Sequence, residues 1–220
     1  MSQKYFAVIT GLFVAVLITS NVASTKILDF GFFVFDGGTL LFPLAYIFGD
    51  ILTEVYGYKK ARKVIWTGFA SAILMSLVFV VVGFLPPAQG WENQLAYTAI
   101  LGVVPRIVLA SLIAYFAGEF SNSFIMAKMK ILSKEKQLWK RTIGSTIIGE
   151  FLDTTIFVFI AFFGTMPMEV FVMLILSNYI FKVGVEILFT PLTYKIIGFL
   201  KKVEKTDVYD YDTNFSPFKF

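Results

Sequence analysis

Eight ionisable side chains, Asp50, Glu54, Arg106, Glu119, Glu150, Asp153, Lys182 and Glu186, stand inside stretches that otherwise read as hydrocarbon. A charge at the centre of a bilayer costs about 2.5 to 3.5 kcal/mol on insertion scales, so such groups must turn inward and pair or hold a ligand. Six acids against two bases leave carboxylates without a counter-ion, to be protonated, hydrated or occupied. Spacing gathers them into faces. Glu150, Asp153 and Thr154 share one side of a helix, Asn178, Lys182 and Glu186 recur at i, i+4 and i+8, and Asp50 and Glu54 are one turn apart. Arg106 and Glu119, thirteen residues apart, fall on different faces. A carboxylate accepts two donors at once, and Lys, Arg or Asn supplies a donor in return, so a pocket built this way reads a polar edge. The competing reading is a set of salt bridges that only lock helices together.

The elements that must carry these groups are membrane spans. The chain has 220 residues, 57% of them hydrophobic, with 26 Phe. Six apolar segments run from about Tyr5 to Ser24, Leu40 to Tyr56, Val64 to Leu85, Thr98 to Ala127, Ile143 to Phe163 and Val170 to Ile197. An all-α polytopic membrane protein is therefore expected, with a six-helix domain over residues 1–205 and a tail over 206–220 that docks locally. The first segment reads as a retained helix because no small-residue cleavage pattern follows it. Counting ~1.5 Å per residue puts Asp50, Arg106, Asp153, Asn178 and Lys182 within roughly 6 Å of the midplane. Glu54, Glu119 and Glu186 lie nearer one side, as candidates for proton coupling or gating. Pro43, Pro105 and Pro191 predict kinks that open a cavity.

Basic residues mark that side. Lys59, Lys60, Arg62 and Lys63 follow the second span, Lys128, Lys130, Lys134, Lys136, Lys140 and Arg141 the fourth, and Lys195, Lys201, Lys202 and Lys205 close the sixth. The opposite side has Lys26 alone beside Asp29, Asp36, Glu92 and Glu169, so both termini are expected in the cytoplasm. Topology explains the net charge of +4, and a nucleic-acid partner is not required. Cysteine and histidine are absent, which removes thiol nucleophiles, disulfides, Cys/His metal sites and imidazole chemistry; no cofactor or metal is expected. Gly37 and Gly38 lack the following Lys of a nucleotide loop, and Asp36 reads as the cap of the second helix.

Two fragments recur at offsets of 101 and 100 residues: Ser20-Asn21 as Ser121-Asn122, and "GDIL" at 49–52 as "GEFL" at 149–152. Three helices per half would place the halves in opposite orientations, the pattern of a 3+3 inverted repeat with a site at the midplane.

At "SNVASTK" (20–26), "FDGGTLLFPLAYIFGDILTEVYGYKKAR" (35–62), "RIVLASLIAYFAGEFSN" (106–122) and "GEFLDTTIF" (149–157), the chain resembles the YhhQ-type queuosine precursor transporters of the vitamin-uptake-transporter family. The resemblance implies a bacterial inner-membrane importer of 7-cyano-7-deazaguanine or 7-aminomethyl-7-deazaguanine, with six helices like the substrate-binding subunits of energy-coupling-factor transporters. A deazaguanine offers N1–H and an exocyclic amine to one carboxylate, Glu150 or Asp153, and its carbonyl to Asn178, Lys182 or Arg106. Asn21 and Asp50 complete the candidate substrate residues. Phe157, Tyr179 and Phe181 are candidates to cover the ring. Transport is expected to be secondary or facilitated, since no nucleotide-binding sequence is present, and a homodimer is the expected assembly. Two readings compete: a capture subunit that needs an energising complex, and an intramembrane aspartyl protease. The acid pairs, three or four residues apart on one helix, do not match the two converging carboxyls that a protease requires. The chain is accordingly expected not to be an enzyme.

Overall fold

The computed structural model describes residues 4–133 and 138–218; Lys134 and Lys136 of the basic run and the last two residues of the tail lie outside them. Its order is α1 (Phe6–Ala23), a short hairpin of β1 (Ile27–Asp29) and β2 (Val34–Asp36), a 3-10 turn (Gly37–Leu40), α2 (Phe42–Tyr56), α3 (Tyr58–Phe84), α4 (Gln94–Leu101), α5 (Val104–Ser133), α6 (Leu138–Phe162) and α7 (Met168–Glu204). Among the described residues, five helical stretches are long and apolar enough to cross a membrane: Phe6–Ala23, Tyr58–Phe84, Gln94–Leu132, Leu138–Phe162 and Met168–Glu204. The molecule is an all-α multi-pass membrane protein.

The sixth segment, α2, has 15 residues, or about 22 Å, too short to span alone. Thirteen of those residues are buried. It is the central helix of the bundle, and its neighbours stand between it and lipid. Around it Phe13, Leu17, Tyr46, Ile51, Tyr58, Ile65, Phe69 and Tyr115 form the main apolar core. Residues such as Leu74, Leu77, Val81 and Leu188 face outward, as hydrocarbon contact permits.

Two of the three expected proline kinks are helix starts. Pro43 lies in the first turn of α2, and Pro105 is the second residue of α5, positions where a missing N–H costs nothing. The expected fourth span is thereby divided at Gly102-Val103 into α4 and α5. Pro191 alone falls inside a helix, α7.

Helices in lipid gain little from hydrophobic burial against one another and depend on close packing. Between α5 and α6 this closeness comes from glycine. A Cβ on Gly149 would meet the Asn122 Cβ and the Gly118 carbonyl at 3.0 Å, and one on Gly118 would overlap the Tyr46 hydroxyl.

At the basic end, α2 passes to α3 through Gly57, whose φ of 83° favours glycine. Lys59, Lys60, Arg62 and Lys63 therefore belong to the first turns of α3. The chain after α7 returns here and lies across α2 and α3. Val208 N–H donates to Val55 O at 3.4 Å, and the Asp210 carboxylate accepts from Tyr58 N–H at 3.0 Å, capping α3 from 152 residues away. Arg62 Nη1 donates to Asn214 O at 2.9 Å and Ser216 O at 2.6 Å, Tyr58 OH to Phe215 O, and Trp66 Nε1 to Pro217 O.

Candidate functional site

The face of α6 predicted from spacing meets the stripe of α7 as expected. Lys182 Nζ donates to Asp153 Oδ2 at 2.8 Å and lies 3.4 Å from Glu150 Oε2. All three are at most 2% exposed, so the group is closed from both ends of the bundle. One ammonium does not satisfy two carboxylates. Asp153 Oδ1, both Glu150 oxygens and the Thr154 hydroxyl have no hydrogen-bond partner. The Lys182 ammonium also sits 4.6 Å from the centre of the Phe42 ring, and Phe42 neighbours Phe157 at 6.3 Å. Cation, acceptors and aromatic faces thus converge in one place.

Of the three candidate cover residues, Phe157 is buried beside this group. Phe181 stacks on Phe35 at 4.9 Å. Tyr179 instead turns to Ile147 O and to the outward-facing Phe151.

Asn178 is committed elsewhere. Its Nδ2 donates to Asp36 Oδ2 at 3.2 Å, and Thr39 Oγ1 lies 3.0 Å from its Oδ1. Asp36 does not cap α2; it caps the 3-10 turn before it, accepting from Gly38 N–H at 3.0 Å and from Ser24 Oγ at 2.5 Å. This buried carboxylate, which sequence reasoning placed in an outer loop, fixes the Asn178 amide one helical turn from Lys182. Its partner is 142 positions away, and no local pattern announces such a contact.

Arg106 is not at the midplane. It is exposed at the end of the bundle opposite the basic one, donating to Ile160 O and Phe163 O at 2.9 Å. The depth count failed because α5 begins at Val104 and Arg106 is in its first turn, where it caps the C-terminus of α6. Asn21 is buried, and its Nδ2 is spent on Leu17 O at 2.7 Å.

Glu54 is caged. Its Oε1 accepts from Arg141 Nη2 at 2.8 Å and Lys201 Nζ at 2.9 Å, with Lys130 Nζ at 3.7 Å. Lys130 also donates to the Glu54 carbonyl and to Asp207 of the tail. Lys130 and Arg141 belong to the basic runs that mark orientation, yet they are 2% and 1% exposed. The geometry suits a lock at the basic end. Only the extension of α5 beyond Ala127 could have signalled this, since it brings Lys130 onto a helix face.

The remaining acids form a third group. Asp50 Oδ1 accepts from Asn122 Nδ2 at 2.9 Å, and Glu119 Oε1 from Ser123 Oγ at 3.2 Å. Both Glu186 oxygens lack a partner.

Residues 36–196 match the family described as "Putative vitamin uptake transporter". The chain belongs to this family. It is a membrane transporter, not an enzyme. A Bacillus subtilis protein named "Probable queuosine precursor transporter" is 32% identical over 160 residues, covering 71% of this chain and 69% of that one. An Escherichia coli protein named "Queuosine precursor transporter" is 27% identical over 163 residues, 73% of this chain and 71% of its own length. A Haemophilus influenzae protein with the same name as the Bacillus one is 29% identical over 158 residues, 70% of this chain and 65% of its own. No solved structure matches.

Proposed function

We propose that this protein imports a queuosine precursor of the 7-deazaguanine class through a bacterial inner membrane, its basic end in the cytoplasm. The observation that carries the reading is Lys182 held between Asp153 and Glu150 beside Phe42 and Phe157. The substrate's N1–H and exocyclic amine present two parallel donors, which suit a buried carboxylate better than one ammonium does. When they engage Asp153 or Glu150, Lys182 is released to donate to the ring carbonyl. The aromatic pair then covers the planar ring.

In this mechanism the Lys182 ammonium balances one of the two carboxylates while the site is empty, and the substrate's donors take its place there as it turns to the ring carbonyl. Opening toward the basic end requires the Glu54 cage and the tail to separate from the bundle, which makes these contacts the inner gate. Asp36 acts as a positioning residue, holding Asn178 above Lys182.

The test is uptake of labelled 7-deazaguanine precursors by cells unable to synthesise them, with the protein expressed alone. Asp153→Asn and Glu150→Gln are expected to abolish uptake while membrane insertion persists. Normal uptake by both variants would remove these carboxylates from the site.

A further inference from the structure

Threonines in the spanning helices of this chain share a habit. Thr10, Thr67, Thr98, Thr190 and Thr193 each donate the hydroxyl to the carbonyl four residues back, at 2.8 to 3.2 Å. Such a bond satisfies the group without help from a neighbouring helix. Three threonines of α6 depart from it. The hydroxyls of Thr142, Thr146 and Thr154 have no hydrogen-bond partner, although each residue is only 1% exposed. With Glu150, whose two oxygens are also without a hydrogen-bond partner, they stand at i, i+4, i+8 and i+12, a single stripe along α6.

Direct contacts fix both ends of this stripe. At one end Glu150 and its neighbour Asp153 meet Lys182 of α7. At the other, Arg141, the residue before Thr142, bonds Glu54 of α2, which also holds Lys201 of α7. Helices α2 and α7 therefore flank this length of α6, and their polar residues fall between the same two points. Asp50 lies one turn before Glu54, and Glu186 and Thr190 lie one and two turns after Lys182. All three are buried, and Asp50 Oδ2 and both Glu186 oxygens have no hydrogen-bond partner. The opposite face of α6 is apolar and turned outward, with Ile148 48% and Phe151 57% exposed. A lock between helices would pair these interior groups, and a plain packing surface would use Val or Leu. Donors and acceptors left open along a line suit a molecule that moves past them.

We propose that Thr146 and Thr142 line the passage by which substrate leaves its site toward the cytoplasm, and that the Glu54 cage closes the inner end of that passage. This rests on the importer reading above. Thr154 and Glu150 stand at the start, within the substrate site, and Thr146 and Thr142 follow at about 6 and 12 Å from Glu150 along the helix axis. A hydroxyl both donates and accepts and carries no charge, so it exchanges hydrogen bonds with a neutral heterocycle without trapping it. The passage thus favours an uncharged molecule that carries donors and acceptors together.

The chain contains no cysteine, so a single thiol can be placed in it without a competing one. The experiment introduces Thr146→Cys, Thr142→Cys and, on the lipid face, Ile148→Cys into the full chain, and treats inside-out membrane vesicles with a membrane-impermeant cationic methanethiosulfonate. A thiol reacts as its thiolate, which apolar surroundings suppress, so the Thr146 and Thr142 variants are expected to be modified about tenfold faster than the Ile148 variant. Thr190→Cys on α7 gives the same reading if an α6 variant does not insert. Thr142→Val/Thr146→Val is expected to slow turnover several-fold while the affinity for 7-cyano-7-deazaguanine is kept. Equal modification at all three α6 positions, or none at 142 and 146 in inserted variants, overturns the proposal. So does faster modification in right-side-out vesicles, or a loss of affinity with turnover kept, which would assign the hydroxyls to the substrate site. Modification at both positions of a protein that takes up no deazaguanine leaves the passage standing and overturns the choice of substrate.

Discussion

Lys182 Nζ lies 2.8 Å from Asp153 Oδ2 and 4.6 Å from the Phe42 ring centre, so one ammonium is held by an ion pair on one side and a π face on the other. Removing one member of a buried pair typically costs about 3 to 5 kcal/mol, because the other remains as an uncompensated charge. Lys182→Met should therefore destabilise strongly, whereas Lys182→Met/Asp153→Asn should recover much of the loss. Thermal unfolding in detergent gives the coupling; additive effects would show that the two residues do not depend on each other.

The Glu54 cage makes an unequal prediction. Lys201 is partly exposed, with 22% of its side chain accessible, so Lys201→Met should cost about 1 kcal/mol or less. Glu54→Gln leaves the buried Lys130 and Arg141 facing a neutral group and should lower the unfolding temperature far more. Equal shifts from the two variants would contradict the cage.

Asp210 supplies an acceptor to the first N–H of α3, the role of a helix cap. Asp210→Ala should cost about 0.5 to 2 kcal/mol and accelerate hydrogen exchange in the first turn of α3. Unchanged exchange there would mean that the tail does not dock in the membrane.

Glycine substitutions should divide by position. Gly149→Ala forces the Gly118 carbonyl or Asn122 to move and should cost about 1 to 3 kcal/mol by overpacking. Gly184→Ala and Gly198→Ala meet nothing within 4 Å and should be neutral or stabilising. Comparable losses at all three positions would place the tight crossing elsewhere.

What sequence could show was set by the range of the signal. Glu150 and Asp153 occupy one helical face and Lys182 another, and the cost of charge in lipid requires such faces to meet; periodicity and solvation suffice for that inference. Arg106 was misplaced because depth depends on where a helix begins, and Pro105 starts one where an uninterrupted span was expected. Lys130 and Arg141 were hidden because a basic residue near a helix end serves orientation equally well whether or not it is buried. Asp36 and the tail were illegible for a different reason. Their partners lie more than 140 positions away, and composition carries no record of pairing over that distance.

The tail has a consequence for biogenesis. The helix that it caps emerges from the ribosome some 150 residues before Asp210 does. Every earlier helix can therefore enter the bilayer while the basic end of the bundle is still unfastened, and the seal there awaits the arrival of the tail.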